Sequence, residues 1–165
     1  MLDLLYRLAK PVLFRMDPES VHDHTMVRLS RISRSEQMLG LIGLTHSAPD
    51  PRLRVTLGDL TLPGPVGVAA GLDKNGVAFP ALAALGWDFI EIGTVTLKPQ
   101  PGNPKPRVFR LPDDHALINR MGFPGAGADQ IAMNIVMRRK ANACIGINIG
   151  PNKASVEAGP DAGIA

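Results

Sequence analysis

The chain has 165 residues, of which 45% are hydrophobic and 20% are charged, a balance typical of a globular protein with room for one ordinary domain. Its net charge of +3 is mild, and aromatic residues make up only 4%, so base-stacking surfaces for nucleic acid are not expected. The single cysteine, Cys144, excludes an intrachain disulfide and suits a reducing compartment. No apolar run approaches the roughly 18 residues of a membrane-spanning helix, and no metal-ligand motif stands out.

The N-terminal fifth of the chain is predicted to form two short helices. Apolar residues recur at helical spacing through residues 1–16, and basic residues lie between them. Asp17-Pro18 is typical of an N-cap followed by proline in the first turn, and the next helix places His22, Met26 and Leu29 on one face. Such basic, amphipathic helices can lie on a membrane surface, and a helical cap packed on the main domain is the alternative.

The middle of the chain contains two predicted hairpins. Residues 35–52 are predicted to be a linker, and Gly58-Asp59 between two short β-rich runs predicts the first hairpin. The second hairpin is predicted within residues 107–118. It ends at Asn119, whose amide can both donate to and accept from a ligand ring, and Gly122 just beyond allows a close approach.

Three apolar runs predict buried strands of a parallel sheet: residues 66–70, 89–95 and 144–150. Helical segments are predicted between them, at residues 77–85 and 129–140. At or just beyond the C-terminal ends of these strands lie Lys74, Thr94 and Asn148, where ligand sites of α/β folds are found. The pattern indicates an α/β fold, either the start of a (β/α)8 barrel or an open doubly wound sheet. No G-x-G-x-x-G motif opens a helix after a strand, which disfavours dinucleotide binding.

An ordered set of motifs runs from about Asp17 to Lys153. Its members are Asp17-Pro18-Glu19 with His22, and the segments 69–74, 91–96, 99–103, 106–111, 119–123 and 146–150. In this order they closely resemble the membrane-associated, quinone-dependent class of dihydroorotate dehydrogenase. The resemblance implies an FMN-containing (β/α)8 TIM barrel, preceded by a small two-helix, membrane-associating cap, that oxidises dihydroorotate to orotate in pyrimidine biosynthesis and passes the electrons to a membrane quinone.

Residue by residue, the resemblance implies FMN contacts from Ala70, Gly71, Leu72, Asp73, Lys74, Thr94 and Asn148. It implies a substrate pocket lined by Lys74, Asn119, Arg120, Met121, Gly122 and Phe123. His22 and Arg110 would lie beside the entrance used by the quinone. The implied organisation is a cap over residues 1–45 and the first part of the barrel over residues 46–165, on the cytoplasmic face of a bacterial inner membrane or, alternatively, on a mitochondrial inner membrane.

The sequence also departs from the family pattern. Pro151 stands where a lysine is usual, and Leu97 stands where a proline is usual. A (β/α)8 barrel needs roughly 250 residues, and about three of its strands are predicted here. The family's catalytic base, a serine, is expected beyond Ala165, and Ser155 is a poor substitute. The expectation is therefore an N-terminal piece without activity of its own, whose oligomeric state is left open.

Two alternative functions follow from the same residues. One is the soluble class of the same activity, or another FMN barrel that acts on pyrimidines, and the helical cap argues against it. The other is a non-catalytic fragment that binds a membrane or a partner. Liposome binding and bound flavin separate the three hypotheses.

Overall fold

A computed structural model describes residues 2–46, 49–138 and 143–159. The helices are α1 (Leu2–Arg15), α2 (Pro18–Ile32), α3 (Glu36–Gly43), α4 (Phe79–Ala84), α5 (Ala128–Met137) and α6 (Lys153–Glu157), with a 3-10 turn at Pro51–Leu53. The strands are β1 (Val55–Leu57), β2 (Leu60–Leu62), β3 (Ile90–Val95), β4 (Val108–Leu111), β5 (Ala116–Asn119) and β6 (Ile145–Ile149). The architecture is mixed α/β: β1–β2 and β4–β5 are antiparallel pairs, and β3–β6 is a parallel pair.

The parallel pair is the centre of the fold, and the run at 66–70 lies beside it with a regular β-bridge at Val68, opposite Ile90. The Val68 N–H donates to the Phe89 carbonyl at 2.9 Å, and the Val68 carbonyl accepts from the Glu91 N–H at 2.8 Å. The Ala70 N–H instead donates to the Glu91 carboxylate at 3.1 Å, which interrupts the regular ladder before the Gly71 N–H donates to the Gly93 carbonyl at 2.8 Å. The prediction of a full strand at 66–70 is therefore wrong, although the run does lie beside β3.

The hydrophobic core fills one side of the β3–β6 pair. Its buried members are Val68, Phe79, Leu82, Ile90, Ile92, Val95 and Ile131. They come from α4, α5, β3 and the run at 66–70, so the two helices cover the sheet as in a βαβ unit. On β6, in contrast to the buried residues of β3, Ile149 is 79% exposed.

Both predicted hairpins are present, and the helices that follow strands are shorter than predicted. The helix predicted at 77–85 begins only at Phe79, because the buried Asp73 carboxylate accepts from the N–H groups of Val77 (2.9 Å) and Ala78 (2.7 Å) and holds them in a turn. The helix predicted at 129–140 forms as α5, and Lys140 lies outside the described residues.

Three helices, rather than the predicted two, precede the first strand. The linker predicted at 35–52 is wrong for α3, because Ser35 is an N-cap whose hydroxyl accepts from the Met38 N–H at 3.3 Å; residues 47 and 48 lie outside the described residues. The predicted N-cap of α2 is confirmed, since the Asp17 carboxylate accepts from the Ser20 N–H at 2.8 Å. The N-terminal helices are attached to the core by the Ser33 hydroxyl, which accepts from the Ala81 N–H at 3.1 Å.

Candidate functional site

A cleft of about 380 Å³ lies where α2, the C-terminal end of β3 and the segment after β5 meet. Many of the residues predicted for the site line it: His22, Ala70, Gly71, Lys74, Thr94, Asn119, Met121, Gly122 and Phe123. Pro18, Glu19, Gly93, Val108, Leu117 and Pro124 complete the lining. Four separate segments of the chain, within 18–22, 70–74, 93–94 and 108–124, thus contribute to one concave surface.

Lys74 supplies a partly buried cation to this cleft. Its Nζ lies 3.4 Å from His22 Nε2, which in turn lies 2.9 Å from the Leu72 carbonyl oxygen. Burial lowers the pKa of Lys74 below the ordinary value, and the carboxylates of Asp23 and Glu19 oppose this shift. The site therefore has an amine whose positive charge is weakly hydrated and available to an anionic group.

Thr94 and Asn148 form a polar pair at the C-terminal ends of β3 and β6. The Thr94 hydroxyl donates to the Asn148 side-chain oxygen at 2.6 Å. This contact fixes the orientation of the amide and leaves its NH₂ group to donate elsewhere. Gly93 beside them cannot carry a side chain, because an added Cβ would lie 2.5 Å from the Asn148 carbonyl oxygen.

A buried ion pair joins α2 to the proline-rich segment beneath the cleft. Arg107 donates from Nε (3.1 Å) and Nη2 (2.7 Å) to the Glu19 carboxylate, and from Nη1 to the carbonyls of Pro101 (2.7 Å) and Asn103 (2.8 Å). Lys105 Nζ lies 3.3 Å from the same carboxylate. Hydrogen bonds from Arg107 lower the pKa of Glu19, against the opposing effect of burial.

Gln100 holds the segment that forms the outer wall of the cleft. Its Nε2 donates to the carbonyls of Gly122 (3.2 Å) and Phe123 (3.1 Å), while its Oε1 accepts from Asn152 Nδ2 at 2.9 Å. Neither Gln100 nor the Glu19–Arg107 pair was among the predicted site residues. Both occur inside the motifs found in the sequence, which is the one signal that pointed to them.

Some predicted site residues have side chains engaged outside the cleft. Asp73 is buried and caps the turn before α4, and Leu72 meets His22 only through its carbonyl oxygen. Arg120 donates to the Pro106 carbonyl at 3.0 Å. Arg110 donates to the Met16 carbonyl at 2.8 Å and lies 5.0 Å from the Phe14 ring, at the junction of α1 and α2. Their assigned roles stay predictions.

Acid is expected to weaken the fold through Glu19. Because the folded-state pKa of Glu19 is lowered, its ion pair stabilises the protein above about pH 4.3, the ordinary pKa of glutamate, and this contribution is lost as the pH falls further. Urea unfolding between pH 6 and pH 3 should show a shallower loss of stability in Glu19→Gln than in the wild type. Glu157→Gln, at an exposed pair in α6, should keep the wild-type slope. An equal dependence of the free energy of unfolding on pH in all three proteins would contradict the role assigned to the Glu19 ion pair.

The cleft at the C-terminal end of a parallel strand pair, with helices on the sheet, is typical of α/β enzymes. A family model for dihydroorotate dehydrogenase matches residues 52–159. The chain belongs to the dihydroorotate dehydrogenase family.

Several curated relatives and solved structures are similar to the chain. It is 48% identical over 154 residues to the dihydroorotate dehydrogenase (quinone) of Chloroflexus aurantiacus and 50% identical over 149 residues to that of Methylobacillus flagellatus. These alignments cover 91% and 90% of this chain but 42% of each relative. A DHODH from Eimeria tenella in complex with ferulenol superposes with a TM-score of 0.69 at 39% identity, covering 84% of this chain and 37% of that one.

The chain thus spans about two-fifths of the length of the curated relatives it matches. No helix in the described ranges is long and apolar enough to cross a bilayer. Within the same ranges, we find no group of three or more histidine, cysteine or acidic residues arranged to hold a metal ion.

Proposed function

We propose that the cleft is part of an FMN site. The donor set fits a flavin ring: Thr94 and Lys74 line the cleft, and Asn148, which accepts from the Thr94 hydroxyl without lining the cleft itself, offers amide hydrogens beside it. An added Cβ on Gly71 would meet nothing within 4 Å, so a flat group has room there. The residues that would hold the cofactor are Ala70, Gly71, Leu72, Asp73, Lys74, Thr94 and Asn148. When bound, FMN supplies the two-electron acceptor that oxidation of a substrate carbon requires.

The substrate proposed for the whole protein is (S)-dihydroorotate, oxidised to orotate with a quinone as the final acceptor. The convergence of a half-buried Lys74 with Asn119, Met121, Gly122 and Phe123 in one cleft carries this proposal. The ammonium group would hold the substrate carboxylate, and Asn119 would hydrogen-bond to the pyrimidine ring. Arg120, from the same segment as Asn119, is proposed to contribute to substrate binding at the rim of the cleft.

The larger architecture is part of the same proposal. Residues 46–165 would form the first part of a (β/α)8 TIM barrel, and residues 1–45 would form the cap through which the quinone enters, with His22 and Arg110 beside the entrance. We assign the catalytic base to no residue described here, since Ser155 lines other cavities, beside Asn152. Reduction of a dye by dihydroorotate with the 165-residue chain alone would overturn this assignment.

Flavin binding is the first test of the proposed site. The purified, desalted chain is expected to show a flavin absorption spectrum or to acquire one after incubation with FMN. Lys74→Ala should bind FMN at least about tenfold more weakly, because a charge-assisted contact in a half-buried site is lost. Lys98→Ala, at an exposed lysine just beyond the C-terminal end of β3, is the matched control and should bind FMN like the wild type. A wild-type chain that stays colourless with excess FMN would contradict the proposal.

Helix α1 is proposed to place the protein on the cytoplasmic face of a bacterial inner membrane. Its Leu8 and Val12 side chains, one turn apart, are 69% and 61% exposed, and Lys10 and Arg15 add positive charge. Leu8→Asp/Val12→Asp should reduce co-sedimentation with anionic phospholipid vesicles by at least about tenfold, since each buried aliphatic side chain contributes about 1.5 kcal/mol. Leu57→Asp, at an equally exposed leucine of β1, should bind like the wild type. Equal binding by all three proteins would contradict this role.

A further inference from the structure

A second cavity, of about 690 Å³, shares no lining residue with the cleft. It lies between the C-terminal ends of α2 and α5 and the starts of α3 and α4. Arg34, Arg138, Asn134 and Ser33 contribute its polar side chains, together with Glu36, which has an interaction partner of its own. Nothing in the proposed FMN, substrate or quinone sites uses these residues.

Arg138 is the unusual member of this cavity. Only 9% of the residue is exposed, and its Nη1 donates to the Asn134 carbonyl at 3.0 Å. Its Nε is buried, and within the described ranges it has no hydrogen-bond partner. A buried charged donor without an acceptor is costly, so its presence calls for an acceptor that the described residues do not supply.

Arg34 brings a second guanidinium group to the same cavity. It is exposed and follows the last turn of α2. The pKa of Arg138 is lowered first by burial and then by the positive charge of Arg34, with Asp73 opposing the shift. Two like charges across one cavity repel each other, and an anion bound between them would offset this repulsion by attracting both.

We propose that Arg34 and Arg138 form a binding site for a phosphate-class oxyanion. A guanidinium group presents planar, paired N–H donors that match the oxygens of phosphate. The buried Nε of Arg138 would gain the acceptor that it lacks, and Arg34 would close the site from the solvent side. The Ser33 hydroxyl, which accepts from the Ala81 N–H at 3.1 Å, keeps its own hydrogen to donate. The site is independent of flavin and substrate.

Inorganic phosphate is the probe, titrated calorimetrically into the full chain at constant ionic strength with chloride as the reference. One phosphate is expected to bind to each wild-type chain. Arg34→Gln should weaken binding at least about tenfold, because one charged donor group is lost. Arg31→Gln removes the same charge from the last turn of α2, outside the cavity, and should leave the affinity within about twofold of the wild type.

Three further outcomes decide the proposal. Arg138→Lys keeps the charge but removes Nε, and it should also bind more weakly; should it fail to fold, Arg34→Gln remains decisive. Glycerol phosphate, tested in the same way, separates a site for free phosphate from a site for a phosphate ester, and binding of either supports the oxyanion site. No binding to the wild type, or equal losses in Arg34→Gln and Arg31→Gln, would overturn it.

Discussion

Replacement of Glu19 by alanine is expected to lower the free energy of unfolding by about 3–5 kcal/mol, the usual effect of leaving one partner of a buried ion pair without the other. Arg107 would remain buried, with its Nε and Nη2 deprived of the carboxylate to which they now donate. Its Nη1 bonds to Pro101 and Asn103 would hold it in place, so it could not easily turn out to solvent. Urea denaturation followed by circular dichroism at pH 7 measures the loss.

Lys105 offers the matched control for this prediction. Its side chain is 60% exposed, and its Nζ contacts the same Glu19 oxygen at 3.3 Å. Because water screens such a contact, Lys105→Ala should cost no more than about 1 kcal/mol. Glu19→Gln/Arg107→Met should recover part of the loss, since it removes both buried charges. Equal costs for Glu19→Ala and Lys105→Ala would mean that the buried pair does not hold α2 against the proline-rich segment.

Features set by neighbouring residues could be predicted from the sequence. The Asp17 cap of α2 is one example, because Asp17 lies only three residues before Ser20, whose free N–H donates to it, and the local backbone geometry is enough to bring the two together. Gly58, at a φ of +59°, supports the first hairpin as its sequence indicated. Local signals also misled: the sequence predicts a linker at 35–52, although the Ser35 N-cap and the apolar residues that follow it specify α3.

Features set by distant residues could not be predicted from spacing. The run at 66–70 has the composition of a buried strand, but the Glu91 side chain takes the Ala70 N–H that a strand would use. The pairing of Glu19 with Arg107 spans 88 positions, and no local pattern distinguishes these two charges from solvated ones. The family resemblance did identify residues of the cleft, because its motifs contain many of the residues that converge there. The contacts between these residues could not be inferred from the sequence.

Gly93→Ala is expected to lower the free energy of unfolding by at least about 3 kcal/mol and to abolish FMN binding. Gly93 has a φ of +127°, which an L-residue adopts only under strain, at roughly 1–2 kcal/mol. The added Cβ would also lie 2.5 Å from the Asn148 carbonyl oxygen and 2.9 Å from the Val95 N, both backbone atoms that cannot move without breaking the β3–β6 pairing. Thermal and urea unfolding measure the first effect, and FMN titration measures the second.

Gly146→Ala separates this effect from the general consequence of adding a methyl group to the parallel pair. Gly146 lies opposite Glu91 in the same ladder, and an added Cβ would meet the Glu91 side chain at 3.6 Å, an ordinary van der Waals contact. Its free energy of unfolding should therefore stay within about 1 kcal/mol of the wild type. If Gly93→Ala proves as harmless as Gly146→Ala, β3 and β6 can separate without loss of the fold. The close approach of Thr94 to Asn148 would then be unnecessary for the flavin site that we propose.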